Sequence, residues 1–407
     1  MTLLGLALRN LRRHLRRTVI TGAAIGLGLA MLIVWVGIAD GAHGQMIDSG
    51  VGALAGHVVV QGAGWQKTRR AEIAVPGTPA LRRQIAKLVP GATLVPRVFV
   101  QGLLSSPTGS VGVALSAVEP ALECRVNEIC DYVVEGRHLD GARRGMVLGQ
   151  ALARKLHVGV GDKVVLMAQS SGAIQSRLFR VSGLFRLGVD EIDGFYAQIQ
   201  LADGQELLGL GDDVTQLALH LADARQTDRA LAALRRALPA SVEVLPWREA
   251  LPQLYEFVLL DDAGLYLFAA IIGVIIAIGI MNTVLMSVLE RLRELGVLLA
   301  LGMSPRRLFA LVLTEAALLG VTAAAVGAGL GLLGHWPLAV YGLDYSALAG
   351  ETMEAGGAVL RTRIFSHLVA WKVVLFAAAA VGVTVAAAIY PALKATRLRP
   401  VQCLQHR

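Results

Sequence analysis

The sequence has no phosphate-binding loop, little charge and almost no cysteine. No GxxxxGK[ST] pattern occurs in its 407 residues, so any ATP-driven work must come from another polypeptide. Charged residues make up 17% and hydrophobic ones 55%, with a mean hydropathy of +0.59. That balance excludes a cytosolic protein unless the apolar excess is gathered into spans. Cysteine is limited to Cys124, Cys130 and Cys403.

The excess is gathered. Thr18 to Ile38, Leu265 to Leu289, Leu308 to Leu333 and Leu368 to Ile389 each supply about 20 or more residues with very few charges, enough to cross a hydrocarbon core of roughly 30 Å. Ordinary soluble composition fills the more than 200 residues between the first two runs, room for one or two domains. The sequence therefore divides into a cytoplasmic helix (1–17), a first span (18–40), a periplasmic domain (41–261) and a second span (262–289). A coupling region (290–307), a third span (308–334), an outer loop (335–367), a fourth span (368–390) and a cytoplasmic tail (391–407) follow.

The formal charge of +8 would suit nucleic acid, but the placement of the basic residues argues against it. Arg9, Arg12, Arg13, Arg16 and Arg17 precede the first run; Arg291, Arg293, Arg306 and Arg307 lie between the second and third; Lys394, Arg397, Arg399 and Arg407 follow the fourth. Counting spans in order puts all three clusters on one side, which the positive-inside tendency makes cytoplasmic. The chain is expected to be a multi-pass inner-membrane protein with both termini inside, its basic residues serving topology and contact with anionic lipid. Its first run is longer than a signal core and lacks a clear cleavage boundary, so an uncleaved anchor is expected. Leu4, Leu8, Leu11 and Leu15 recur at helical spacing with arginines opposite, the pattern of a helix lying on the inner surface. Cys124 and Cys130 then lie outside, where a disulfide is permitted and two free thiols are the alternative, whereas Cys403 lies in the reducing cytoplasm.

Within the outer segment, valine-rich stretches at His57 to Gln61 and Thr93 to Gln101 suggest strands, separated by a helix from Pro79 with Thr78 as its cap. Further strands are expected at Val111 to Leu115, Lys163 to Met167, Leu178 to Val181 and Val214 to His220. Helices are expected at Gly149 to Leu156 and at Thr227 to Leu238, before a last strand at Val242 to Leu245. The order predicts an α+β module with an inserted β-rich subdomain. Val158 to Asp162 is glycine-rich but leads into a strand without GK[ST], so it reads as a turn.

The most informative stretch runs from Met281 to Leu308. An apolar run passes into a charged turn, a short apolar helix, a break at Gly302 and a Ser304-Pro305 helix start. This predicts a helical hairpin whose tip docks on a soluble partner. Leu298, Leu299 and Leu301 are expected as its exposed apolar cluster, with Glu290 and Glu294 pairing to basic groups nearby. No histidine or cysteine accompanies these carboxylates, so they are not read as an enzyme site. His335 and His367 lack a third ligand at a convincing spacing, and no metal site is expected.

Glu290, Arg291, Glu294, Leu295, Gly296, Ala300 and Gly302 resemble the ER-x-x-E-[IL]-G-x-x-x-A-x-G stretch of FtsX/MacB-like permeases of ABC transporters. Glu315 and Gly320, the Ser116 to Pro120 stretch, Gly145 to Asp162, and the Tyr390-Pro391-Ala392, Ala395, Leu398 and Pro400 ending extend the resemblance along the chain. A basic residue common in the family before the alanine is replaced here by Leu298 and Leu299.

The resemblance implies a MacB-like periplasmic domain and a coupling site at Glu290, Arg291, Arg293, Glu294, Gly296, Leu298, Leu299, Leu301, Gly302 and Ser304. It implies a separate cytoplasmic ABC ATPase dimer that uses ATP and Mg, with no cofactor bound directly by this chain, and a second permease subunit, identical or homologous. The layout looks most like the lipoprotein-releasing LolC/LolE type, which implies an acylated protein cargo and a periplasmic carrier or adaptor. An acyl group would then enter between the first and second spans, at a seam of Gly22, Gly26, Ile33, Val36, Ile272 and Ile276. The other readings are a MacB-like export permease working with an adaptor and outer-membrane duct, and an FtsX-like regulator of cell-wall hydrolases.

Overall fold

A computed structural model describes residues 3–13, 15–141, 143–170, 172–187, 190–345, 353–355, 358–360 and 363–396. Arg397, Leu398, Arg399, Pro400, Cys403 and Arg407 lie outside the described residues. The chain divides into two compact units, one of residues 1–43, 260–344 and 363–407, the other of residues 44–259 and 345–362.

In the second unit, β1 (Val58–Gly62), β2 (Thr93–Ser106), β9 (Gln216–His220) and β10 (Val242–Pro246) form an antiparallel layer in the order β10-β1-β9-β2. Helices Pro79–Leu88 and Thr227–Ala237 connect β1 to β2 and β9 to β10. Together they make a split β-α-β arrangement. Thr78 caps the first helix by accepting from the Leu81 amide, with Pro79 in the first turn. All five residues of β1 are buried, which explains its unbroken valines: Val58 and Val60 enter the main core, Val59 a second cluster on the other face.

Everything between β2 and β9 is the inserted subdomain. It contains β3 (Gly109–Val118), β4 (Val133–Gly136), β5 (Gly145–Gly149), β6 (Lys163–Ser170), β7 (Ala173–Phe185) and β8 (Tyr196–Gln200). Pairings run β2-β3-β8-β5-β7-β6 and return from β6 to β2, closing a six-stranded barrel. The 14-residue β2 joins the parts: Thr93–Arg97 pairs with β9 and Gly102–Ser105 with β6. Where the parts meet, Arg97 is fully buried and makes a two-pronged pair with Glu123 at 2.9 and 3.0 Å. Its remaining donors reach the carbonyls of Gly52 and Ala55. Cys124 and Cys130, beside this pair, are joined as a disulfide.

The first unit is helical. Its elements are α1 (Leu3–Arg13), α2 (Leu15–Leu54), α3 (Pro252–Glu290), α4 (Leu292–Ala300), α5 (Pro305–Val340) and α6 (Ala370–Thr396). Helices α2, α3, α5 and α6 are each long and apolar enough to cross a membrane. The helices outrun the apolar stretches. No proline interrupts α2, so the helix continues through Asp40, His43 and Asp48 after the apolar residues stop. Helix α6 likewise continues through Pro391 to Thr396. Leu6, Ala7 and Leu11 form the packed side of α1, with Ala7 fully buried, whereas Leu4, Leu8 and Leu15 are exposed. The small Ala7 is what lets α1 approach α5.

Candidate functional site

The hairpin tip is set by backbone chemistry. Helix α3 ends at Glu290, Arg291 breaks the helical run, and α4 begins at Leu292. Its far end is closed by two hydrogen bonds, Gly302 N–H to the Leu299 carbonyl and Met303 N–H to the Leu298 carbonyl. This is the Schellman pattern, which needs a left-handed residue, and Gly302 supplies it with φ of 96°. One residue after Met303, the Ser304 side chain accepts from the Arg307 amide and Pro305 opens α5.

Side chains hold the tip to α1 and to the start of α2. Arg13 pairs with Glu294 at 3.0 Å and Arg17 with Glu290 at 3.1 Å. Arg291, only 11% exposed at its side chain, reaches Glu294 at 3.4 Å and Glu315 of α5 at 3.3 Å. Asn10 of α1 donates to the same Glu315. Beneath these charges Ala7, Val288, Leu295, Leu308, Leu311, Val312, Ala392 and Ala395 make one apolar cluster drawn from α1, α3, α4, α5 and α6. The exposed pairs contribute little alone, about 0–1 kcal/mol each, so the buried cluster carries the packing and the charges fix its register.

The expected coupling residues therefore have different surroundings. Arg293, Glu294, Leu301, Gly302 and Ser304 are exposed, whereas Gly296 is buried. Leu298 and Leu299 are half-buried against the apolar cluster, which corrects the expectation of an exposed Leu298-Leu299-Leu301 patch. The outward stripe is instead Arg293, Val297, Ala300 and Leu301, with Leu301 79% exposed. Residues at this spacing share a helix face, so helical periodicity places Val297 and Ala300 on the outward face with Arg293 and Leu301. In the sequence Arg13 and Arg17 stand out only as part of the basic N-terminal segment and Asn10 not at all; no local spacing points from these residues to Glu294, Glu290 and Glu315.

The expected seam residues are divided between two places. A Cβ on Gly22 would meet Leu319, and one on Gly26 would lie 3.2 Å from the Ala323 carbonyl. At Gly327 of α5 a Cβ would lie 2.5 Å from the Gly26 carbonyl, and at Gly331 it would touch Ile33. Gly22, Gly26 and Ile33 thus lie at a crossing of the first and third spans rather than at a seam with the second, and the closest approach is at Gly26 and Gly327, where only hydrogen at Cα fits between the backbones. Val36 is buried with Leu29, Leu265, Ala324 and Phe376.

Ile272 and Ile276 do face the first span, across an apolar cavity of about 730 Å³ that also reaches the fourth. Gly28, Leu32, Phe376 and Ala380 line it with them. Two glycines line this cavity: a Cβ on Gly28 would lie 2.9 Å from Ile276, and one on Gly273 would meet nothing within 4 Å. His335 bonds Ser366 at 2.7 Å through Nδ1, and the His367 amide donates to the Gly37 carbonyl.

Residues 18–237 match the family described as MacB-like periplasmic core domain, and residues 266–400 the family described as FtsX-like permease C-terminal. Among curated proteins, the chain is 24% identical over 402 residues to the lipoprotein-releasing system transmembrane protein LolC of Neisseria meningitidis, covering 96% of this chain and 94% of that protein. It is 22% identical over 388 residues to the corresponding LolE of Haemophilus influenzae, covering 93% and 92%. It is 26% identical over 403 residues to the macrolide export ATP-binding/permease protein MacB of Nitrobacter winogradskyi, covering 95% of this chain and 58% of that one. Four spans with the basic clusters on one side make the chain a multi-pass inner-membrane protein with both termini cytoplasmic.

Proposed function

We propose a function from the premise that this chain belongs to the family of permeases that join a MacB-like periplasmic core domain to an FtsX-like permease C-terminal region. It is a permease component of an ABC transporter, and the ATP-hydrolysing centre lies outside these 407 residues. The proposed task is extraction of lipoproteins from the inner membrane and their delivery to a periplasmic carrier. A separate cytoplasmic ATPase dimer, using ATP and Mg, docks on the α4 tip, and a second permease subunit completes the complex.

The observation that carries this reading is the apolar cavity between the first, second and fourth spans. Its lining has no charged side chain, and Tyr266 stacks on Phe376 at 6.1 Å at its edge. Such a wall suits an acyl chain and offers no path to a hydrophilic solute. The resemblance to LolC and LolE, which spans nearly all of this chain, supports the same cargo class.

Mechanically, closure of the ATPase would displace Arg293, Val297, Ala300 and Leu301. Because α4 is tied to α1 by Arg13 and Glu294 and to α5 by Arg291 and Glu315, the displacement passes to the spans as a rigid-body motion. The test is to purify the intact complex from its native membrane, identify its subunits, and reconstitute it with an acylated protein. ATP-dependent release of that protein to a soluble carrier is the expected result. Export of a small solute through a tube-forming adaptor, with no lipoprotein release, would replace this reading by the export one.

A further inference from the structure

Asp40 and His43 lie three residues apart on α2 and share a face, opposite Asp261 and Asp262 of α3. Lys372 of α6 holds Asp40 through Oδ1. The second oxygen, Asp40 Oδ2, is buried without a hydrogen-bond partner, and the side chain as a whole is only 9% exposed. His43 is also buried, and its Nε2 lies 2.8 Å from Asp261 Oδ2. A carboxylate accepts only, so Nε2 carries the hydrogen, and in the neutral ring Nδ1 keeps its lone pair as a metal ligand requires. That lone pair is 3.7 Å from Asp262 Oδ1, a second buried carboxylate oxygen with no hydrogen-bond partner. With the ring neutral, these three atoms are acceptors that converge on one point.

We propose that Asp40 Oδ2, His43 Nδ1 and Asp262 Oδ1 bind a divalent transition-metal ion of the zinc or manganese type, with Asp261 positioning the imidazole. One ligand atom from each of these three residues lies within 4.8 Å of the others, and two ligands of a tetrahedral ion stand roughly 3.4 Å apart. The three carboxylates and Lys372 leave a formal charge of −2 around a neutral imidazole, which a divalent ion cancels. One nitrogen with two carboxylates favours zinc or manganese over calcium, which takes six or more oxygens. The Asp261 contact is the carboxylate-imidazole pairing that fixes tautomer and ring direction in metal sites. The ion would pin the first span to the second at the end of the helices remote from the α4 tip.

The experiment uses the full chain without a polyhistidine tag, held in lipid nanodiscs, stripped with a chelator and dialysed against Zn²⁺. One zinc per chain is expected. His43→Gln and Asp262→Asn should each weaken binding at least tenfold, and Asp261→Asn by about 10- to 100-fold through loss of ring orientation. In the unaltered chain loaded with Mn²⁺, pulsed electron paramagnetic resonance should detect one coupled imidazole nitrogen, a readout independent of whether a variant folds. No zinc retained above a protein-free control, equal affinity in the variants, or manganese without nitrogen coupling would each overturn the site.

Discussion

Arg97 shows how much one side chain can carry. It sits at the junction of the split β-α-β layer and the barrel, fully buried, and satisfies both oxygens of Glu123 together with two backbone carbonyls. Removing one partner of such a pair leaves an uncompensated charge, so Arg97→Met should cost about 3–5 kcal/mol. Denaturant midpoints followed by tryptophan fluorescence would check this, and adding Glu123→Gln should recover part of the loss. His220 offers a second test. Burial, then the neighbouring Arg97 and His57, push its pKa down to about 3. Between that value and the ordinary 6.5, the unfolded chain binds a proton that the folded chain refuses. Stability should therefore be full above about pH 6.5 and fall as the pH drops towards 3. Amide-exchange protection of β9, compared at pH 5 and 7.5 after correction for intrinsic rates, should show this loss, and His220→Gln should flatten it.

At the scale of elements, the α4 tip and the crossing of α2 with α5 each depend on a glycine for a different reason. Gly302 is needed for its positive φ, so Gly302→Val should strain the turn by roughly 1–2 kcal/mol. Leu301→Pro would delete the amide that donates to the Val297 carbonyl at 2.9 Å, with a cost on the order of 3 kcal/mol. Both variants should remain in the membrane and lose most of their stimulation of the partner ATPase. Leu301→Asp should do the same by spoiling the docking face alone. Normal hydrolysis in all three would remove α4 as the transmission element. At the crossing, a Cβ on Gly327 would stand 2.5 Å from the Gly26 carbonyl. Gly327→Val should force α2 and α5 apart and lower the yield of folded protein in detergent, whereas Gly329→Val, where a Cβ meets nothing within 4 Å, should be tolerated.

For the whole molecule, topology is the decisive expectation. With Cys403 replaced, a cysteine at Ala173 on the β6-β7 hairpin should label from the periplasmic side, and one at Ala300 only after the inner membrane is opened. Reversed labelling would invalidate the orientation and with it the docking of an ATPase on α4.

What the sequence determined by itself was local or additive. Four apolar runs, the arginine clusters between them and the Gly302-Ser304-Pro305 punctuation required only hydropathy, charge counting and turn chemistry. The strand-helix-strand order likewise revealed the α+β module with its insertion, because each element signals through neighbouring residues. Tertiary structure decided what faces what. Gly22 and Gly26 were legible as a surface for close approach, yet nothing in their spacing names the third span as the partner. Leu298 and Leu299 are turned inward against an apolar cluster to which α1, α3, α4, α5 and α6 all contribute. The Asp40 contact to Lys372 joins residues 332 positions apart. Helical periodicity records which side of a helix is apolar or small, while the choice of neighbour follows from packing all the helices at once, and that information resides in no single stretch of chain.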